Sequence, residues 1–105
     1  KMEVAAEPNE LLAELETPKD KNSVIVDLNV EIVKTPFLLI KNKGSKKLVG
    51  LNVRLRKFLK ALLEIPGVIS VDVSYYKVTV NHAPLFDKIA IAQSITEEFM
   101  EFIKK

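Results

Sequence analysis

Apolar and polar residues alternate over Ser23–Val33, and this alternation is the strongest constraint on the fold of the chain. The apolar residues of the pattern are Val24, Val26, Leu28, Val30 and Ile32. In an extended strand they lie on one side, while Asp27, Asn29 and Glu31 lie on the other. The stretch therefore predicts a strand whose sheet is covered by a second layer on one face.

The period of the pattern changes further along the chain. Phe37–Lys41 is predicted as a short second strand that begins after Pro36. From Leu48 onward, apolar residues recur every three and four positions, and these are Leu48, Leu51, Leu55, Phe58, Leu59 and Leu62. This spacing predicts an amphipathic helix of about four turns that ends at Ile65-Pro66-Gly67.

Two strands and a helix complete the predicted elements. Val68–Val73 and Lys77–Asn81 are predicted as a hairpin that turns at Ser74-Tyr75-Tyr76, with Ile69, Val71 and Val73 on one face. Pro84 is expected to open the last helix, because a proline at the first helical position loses no hydrogen bond. The predicted buried stripe of this helix contains Phe86, Ile89, Ala92, Ile95, Phe99, Phe102 and Ile103, and Lys104 and Lys105 are expected at its negative end.

The expected fold class is α+β. The elements predict a two-layer sandwich in the order β-β-α-β-β-α, with a mostly antiparallel four-stranded sheet and the helices on one face. Residues 1–22 are predicted to be a peripheral N-terminal segment, in which Asn9 could cap a short helix, and residues 23–105 a single domain. The order of the strands in the sheet stays open.

Charge is distributed unevenly along the sequence. Ile32–Leu63 contains nine basic residues and no acidic residue, whereas residues 1–31 carry eight acidic and three basic residues. The candidate binding residues of the basic block are Lys41, Lys43, Lys46, Lys47, Arg54, Arg56, Lys57 and Lys60. A loop and a helix face of this kind attract a nucleic acid, an anionic surface or an acidic protein.

Four interpretations of the basic block stay open, and one of them is binding of an acidic protein partner. The charges could solvate an exposed face and do no more, and the acidic N-terminal segment could fold back and neutralise them. Nucleic-acid binding is not favoured, because few aromatic residues stand among the cations. Tyr75 and Tyr76, at the expected hairpin tip, form a weaker second candidate for partner binding.

The sequence does not predict a catalytic site. The chain has no cysteine and one histidine, His82, which is predicted to lie in the turn between the last strand and the last helix. No base, metal ligand set or phosphate loop stands at a recognisable spacing, so the sequence predicts a non-enzyme without cofactor or metal. No apolar run has the length of about 20 residues that crosses a bilayer, and no secretory leader is recognisable, so a cytoplasmic location is expected.

The stretch Leu59–Val71 carries a resemblance to a known family. It contains the end of a helix followed by Ile65-Pro66-Gly67-Val68 and Val71, and Val78-Thr79-Val80 stands after the hairpin. This pattern resembles the N-terminal domain of NifU-like (Nfu) iron–sulfur scaffold proteins over about residues 48–103. Ser74-Tyr75-Tyr76-Lys77 departs from the Gly-x-Asp-Phe of that family. The stretch is also similar to heavy-metal-associated ferredoxin-like domains, whose Cys-x-x-Cys is absent here.

The resemblance implies an assembly or interaction module linked to iron–sulfur clusters. The cluster-binding cysteines of that family lie in a separate domain, so no cluster ligand is implied here. The sequence therefore predicts a non-enzymatic protein–protein interaction or assembly module. A protein partner or a homodimer is expected, with polyanion binding, or a domain without any ligand, as the alternatives.

Overall fold

The computed structural model describes residues 2–4 and 13–103. Within these residues, six strands form one antiparallel sheet in the order β1-β2-β3-β6-β5-β4. The strands are β1 (Met2–Val4), β2 (Ala13–Glu16), β3 (Ser23–Leu28), β4 (Leu38–Ile40), β5 (Val68–Ser74) and β6 (Lys77–His82). The helices are α1 (Val53–Leu63) and α2 (Lys88–Ile103), and a short 3₁₀ turn covers Lys46–Leu48.

Both helices lie on the same face of the sheet, where α1 contacts β5 and α2 contacts β3. The core lies between the two layers, because alternate strand residues point toward the helices. Val24, Val26, Val78 and Val80 of the central strands are fully buried there. The opposite face carries polar residues such as Asp72, whose Oδ2 accepts a hydrogen bond from Asn81 Nδ2 at 3.3 Å.

The α+β class is confirmed, whereas the predicted four-stranded sheet and element order are wrong. Two further strands precede the predicted ones, and β2 buries Ala13 and Leu15 in the core. Residues 13–16 are therefore extended, whereas the sequence offered a short helix, capped by Asn9, within residues 1–22. Asn9 itself lies outside the described residues.

The first predicted strand ends five residues early, at Leu28. Its last pair with β6 joins Asp27 to Lys77, which directly follows the hairpin turn, so β6 offers no partner beyond that point. The chain instead bends around the turn, and the amides of Leu28 and Ile32 donate to the carbonyls of Tyr76 and Tyr75, each at 2.7 Å. Val30 is consequently exposed.

Both helices begin later than the periodicity predicts. Asn52 Oδ1 accepts hydrogen bonds from the amides of Arg54 and Leu55, so α1 begins at Val53 rather than at Leu48. In α2, Asp87 Oδ1 accepts from the Ile89 amide at 3.1 Å, one turn after Pro84. Phe86 precedes the helix and is exposed, and Ile89 in its first turn is exposed as well, so neither belongs to the buried stripe. Lys104 and Lys105 lie outside the described residues.

The predicted hairpin forms, but Ile69 does not lie on the predicted face of its first strand. The pairing of β5 with β6 shifts between Val68 and Ser70, which is a β-bulge. The bulge turns Ile69 away from the core, while Val71 and Val73 remain buried. Ile69 therefore does not share a face with these two residues, and Tyr75 and Tyr76 alone form the turn.

The turn from α1 into β5 depends on Gly67. Its φ is +94°, a left-handed conformation that side chains with a Cβ rarely adopt. A Cβ built at this position would lie 2.9 Å from Phe86 Cβ and closer still to the Phe86 ring. The Gly67 carbonyl also accepts the Ala83 amide at 2.8 Å, which joins this turn to the segment before α2.

We expect Gly67→Ala to lower the free energy of unfolding by about 2 to 4 kcal/mol, because it adds backbone strain and a clash with Phe86. Chemical denaturation measures this change. Gly50→Ala is the matched control, since no heavy atom lies within 4 Å of its built Cβ. The control should change the unfolding free energy by no more than about 0.5 kcal/mol. In a Phe86→Ala background, Gly67→Ala should lower the unfolding free energy by less than it does in the original protein. An equal loss in both backgrounds would exclude the clash as a cause.

Candidate functional site

The predicted cations lie on the loop after the edge strand β4 and on the outer side of α1. Short polar contacts shape this loop. Asn42 Oδ1 accepts from the Gly44 amide at 2.9 Å, and Ser45 Oγ accepts from the Lys47 amide at 3.2 Å. Leu48 is buried and anchors the end of the 3₁₀ turn in the core. The loop is therefore held in a defined conformation, and its lysines are exposed.

α1 presents its cations outward because its other side is buried. Leu55, Phe58, Leu59 and Leu62 face the core, and the intervening charged residues face solvent. The loop and α1 together enclose a cavity of about 480 Å³. Its charged lining residues are Lys43, Arg56, Lys57 and Lys60, which we call the basic surface. Lys41 and Lys46 are exposed in the same loop.

Three of the predicted cations donate to backbone carbonyls of the protein. Arg56 Nη1 donates to the Val49 carbonyl at 3.4 Å. Lys47 Nζ donates to the Leu39 carbonyl of the edge strand at 2.9 Å. Arg54 Nη2 donates to the Phe102 carbonyl at 2.7 Å, and its guanidinium lies 5.5 Å from the centre of the Phe102 ring. A cation at this position satisfies a carbonyl at the negative end of α2. Lys47 and Arg54 therefore have structural contacts that the sequence did not indicate.

One carboxylate is paired with the basic surface. Glu64, which caps the end of α1, accepts a hydrogen bond from Lys43 Nζ at 2.7 Å. This hydrogen bond and the positive charge of Lys43 hold the pKa of Glu64 below its ordinary value. Both side chains are more than half exposed, at 52% and 59%, so the pair adds little to stability.

The acidic residues that precede β3 do not neutralise the basic surface where the structure describes them. Glu14 and Glu16 belong to β2, at the opposite end of the sheet order from β4. Their register partners are Asp27 and Ile25, which lie on the face away from the helices. Glu10 lies outside the described residues. The fold thus separates this part of the acidic segment from α1.

A second cavity, of about 310 Å³, lies between α1 and α2. Its apolar lining residues are Val53, Phe58, Ala61 and Phe102. Arg54 and Lys57 line it from α1, and Glu98 and Glu101 line it from α2. We call this cavity the helix groove. Val53 and Lys57 line both cavities, so the groove and the basic surface are neighbours along α1.

Tyr75 and Tyr76 form the tip of the β5–β6 hairpin and are exposed. β4 pairs antiparallel with β5, and Leu38 lies opposite Val73 next to the tip, whereas Ile40 lies opposite Val71 further away. The chain therefore leaves β4 toward Lys41 at the end of the sheet that is remote from the tyrosines. The two predicted candidate sites are not brought together.

His82 does not lie in a turn, as the sequence predicted, but ends β6 and is 3% exposed. Its Nδ1 donates to the Ala83 carbonyl at 2.9 Å. The Nε2 atom of His82 is buried and has no hydrogen-bond partner among the described residues. Within residues 2–4 and 13–103, no group of three His, Asp or Glu side chains is arranged to hold a metal ion.

Comparison with known proteins defines the fold and no more. No protein-family model matches the sequence, and no curated protein matches it. The fold is similar to the crystal structure of protein SAV1430 from Staphylococcus aureus, with a TM-score of 0.64 at 10% sequence identity. The match covers 82% of this chain and 94% of that chain. In the part of the chain that the structure describes, no helix is long and apolar enough to cross a membrane.

Sequence reasoning missed Glu64 as a partner of Lys43 and missed the helix groove entirely. Lys43 and Glu64 are separated by 21 residues, and no short-range pattern joins them. The groove combines residues of α1 with residues of α2. The spacing of Phe58 within α1 and of Phe102 within α2 indicated buried positions, and only the packing of the helices shows where they meet.

We expect Lys43→Gln to raise the pKa of Glu64 toward the ordinary carboxyl value, because the hydrogen bond and the nearby charge are lost. A titration of the side-chain carboxyl carbon by NMR measures the shift. Any stability that the pair adds is present above the ordinary pKa and is lost as pH falls through the lowered pKa of Glu64. Lys46→Gln is the control and should leave the Glu64 titration unchanged. An unchanged titration in Lys43→Gln would show that the pair does not persist in solution.

Proposed function

We propose that the protein is a non-enzymatic interaction module that binds an acidic segment of a protein partner on its basic surface. The observation that carries this proposal is the grouping of Lys43, Arg56, Lys57 and Lys60 around one concave site. Among the described residues, Glu64 is the one carboxylate that forms a salt bridge with them. Such a concentration of charge attracts anionic groups and raises their association rate.

Two features favour a protein partner over a nucleic acid. The residues that line the basic cavity include no aromatic ring, so the site offers no platform on which bases could stack. An apolar groove adjoins the cavity, and apolar contacts beside charged ones are typical of protein interfaces. An acidic peptide with apolar residues uses both parts of this surface, whereas a phosphate backbone uses only the cations.

The link to iron–sulfur cluster assembly rests on the resemblance of residues 48–103 to the NifU-like domain and stays a prediction. Its test is co-purification of the protein from its native cells under anaerobic conditions. Recovery of a cluster scaffold, lost in a Lys57→Glu/Lys60→Glu variant, would support the link. Recovery of a partner without any role in cluster assembly would contradict it and leave the interaction module intact.

We expect a short labelled peptide of alternating Glu and Ser to bind with an affinity that falls steeply as salt rises, because screening weakens contacts between exposed charges. Fluorescence anisotropy measures the affinity. Lys57→Glu/Lys60→Glu should weaken binding by at least about tenfold, since each reversal replaces an attraction by a repulsion.

The control variant is Lys19→Glu/Lys21→Glu, which changes the net charge equally in an exposed turn between β2 and β3. It should retain most of the affinity. An equal loss in both variants would show that the total charge and not the basic surface attracts the peptide. Tighter binding of a mixed-sequence single-stranded oligonucleotide at the same salt would overturn the choice of a protein partner.

A further inference from the structure

The helix groove has a rigid apolar floor. Phe58 and Phe102 stack with ring centres 4.8 Å apart and planes within 15°, and Phe58 also meets Phe99 edge-on at 5.9 Å. Phe58 is 3% exposed, so its position is set by the core. The contact between Arg54 and the end of α2 closes one end of this arrangement. The floor is therefore present before any partner binds.

The groove is open above this floor because its walls carry small or outward-facing side chains. Ala61 leaves space one turn after Phe58, and Val53 is 52% exposed at the start of α1. A volume of about 310 Å³ lies at the low end of ligand pockets, which measure about 300–1,000 Å³. This space suits one or two apolar side chains of a partner rather than a cofactor.

The rims of the groove differ in charge. Arg54 and Lys57 stand on the α1 side, and Glu98 and Glu101 stand on the α2 side. An occupant that matches both rims carries acidic residues toward α1, basic residues toward α2 and apolar residues between them. These three faces together describe an amphipathic helix, for which a groove between two helices is a recurring docking site.

We propose that the helix groove binds the apolar anchor residues of an amphipathic partner helix whose acidic flank lies along α1. This inference rests on the proposed function and names the partner more closely. Lys57 lines both the groove and the basic surface, so the acidic flank of such a helix continues directly onto Lys60 and Lys43. The cations attract and orient the helix, and the apolar anchors hold it.

The test uses two designed helical peptides with the same charges. The first carries Leu at i, i+3, i+4 and i+7, with Glu on one flank and Lys on the other, and the second replaces every Leu by Ser. We expect the Leu peptide to bind at least about tenfold more tightly, since buried apolar anchors dominate such interfaces. Ala61→Leu fills the groove and should remove this advantage. Ala61→Ser leaves the space open and should retain it.

A second variant keeps the test valid if Ala61→Leu changes the fold. Val53→Asp places a carboxylate at the groove rim, where the N-terminal turn of α1 tolerates negative charge. It should also reduce the advantage of the Leu peptide, while circular dichroism shows an unchanged fold.

The remaining outcomes distinguish a failure of the groove inference from a failure of the proposed function. Equal binding of both peptides, lost in Lys57→Glu/Lys60→Glu, would overturn the groove inference and keep the proposed function. Absence of salt-dependent binding for both peptides would overturn the proposed function and the inference with it. A concentration-dependent dimer of the protein that Ala61→Leu abolishes, seen by sedimentation, would show that a second copy occupies the groove and would overturn the choice of a partner helix.

Discussion

The contact between α1 and α2 is the constraint on which the rest of the structure depends. Both helices cover one face of a single sheet, so each must bury apolar residues against the sheet and against the other helix. Phe58, Phe99 and Phe102 meet at this contact with ring centres between 4.8 and 5.9 Å apart. Aromatic contacts of this kind are worth about 0.5–1.5 kcal/mol each beyond the area that they bury. They set the rotation of α1 about its axis and therefore which of its residues face solvent.

That rotation, together with the strand order, explains why the described acidic residues of the N-terminal segment do not pair with the cations of α1. Lys57 and Lys60 have to face outward because Phe58, Leu59 and Leu62 occupy the inner side. The first strands, which hold Glu14 and Glu16, are placed beyond β3 at the other end of the sheet. Charges separated by much more than the Debye length, about 8 Å at physiological salt, do not neutralise each other. Acidic and basic residues that are separated along the sequence are thus also separated on the surface.

Short-range sequence patterns predicted the features that short-range interactions determine. The structure differs from the prediction where tertiary contacts determine it. The inner side of α1 follows from its 3.6-residue period. Leu48 and Leu51 extend that period only by coincidence, because they pack on the core from the segment before Asn52 begins the helix. Gly50 and Asn52 were the available signals of that boundary. The end of β3 depends on the hairpin tip, which no pattern in β3 encodes. Likewise the basic block was predictable, but the use of Lys47 and Arg54 to bind carbonyls was not.

Residues that the fold requires can be distinguished in the same way from residues that point to function. Gly67 stands in the stretch that resembles other families, and its φ and its contact with the Phe86 ring give a steric reason for glycine there. A helix that turns into a strand in this way requires such a residue whatever the protein does. A TM-score of 0.64 at 10% identity shows that this architecture tolerates nearly complete replacement of the sequence. Lys57 and Lys60 have no such steric explanation, since their side chains are exposed on α1. The functional argument therefore belongs to α1's outer face and to the groove beside it.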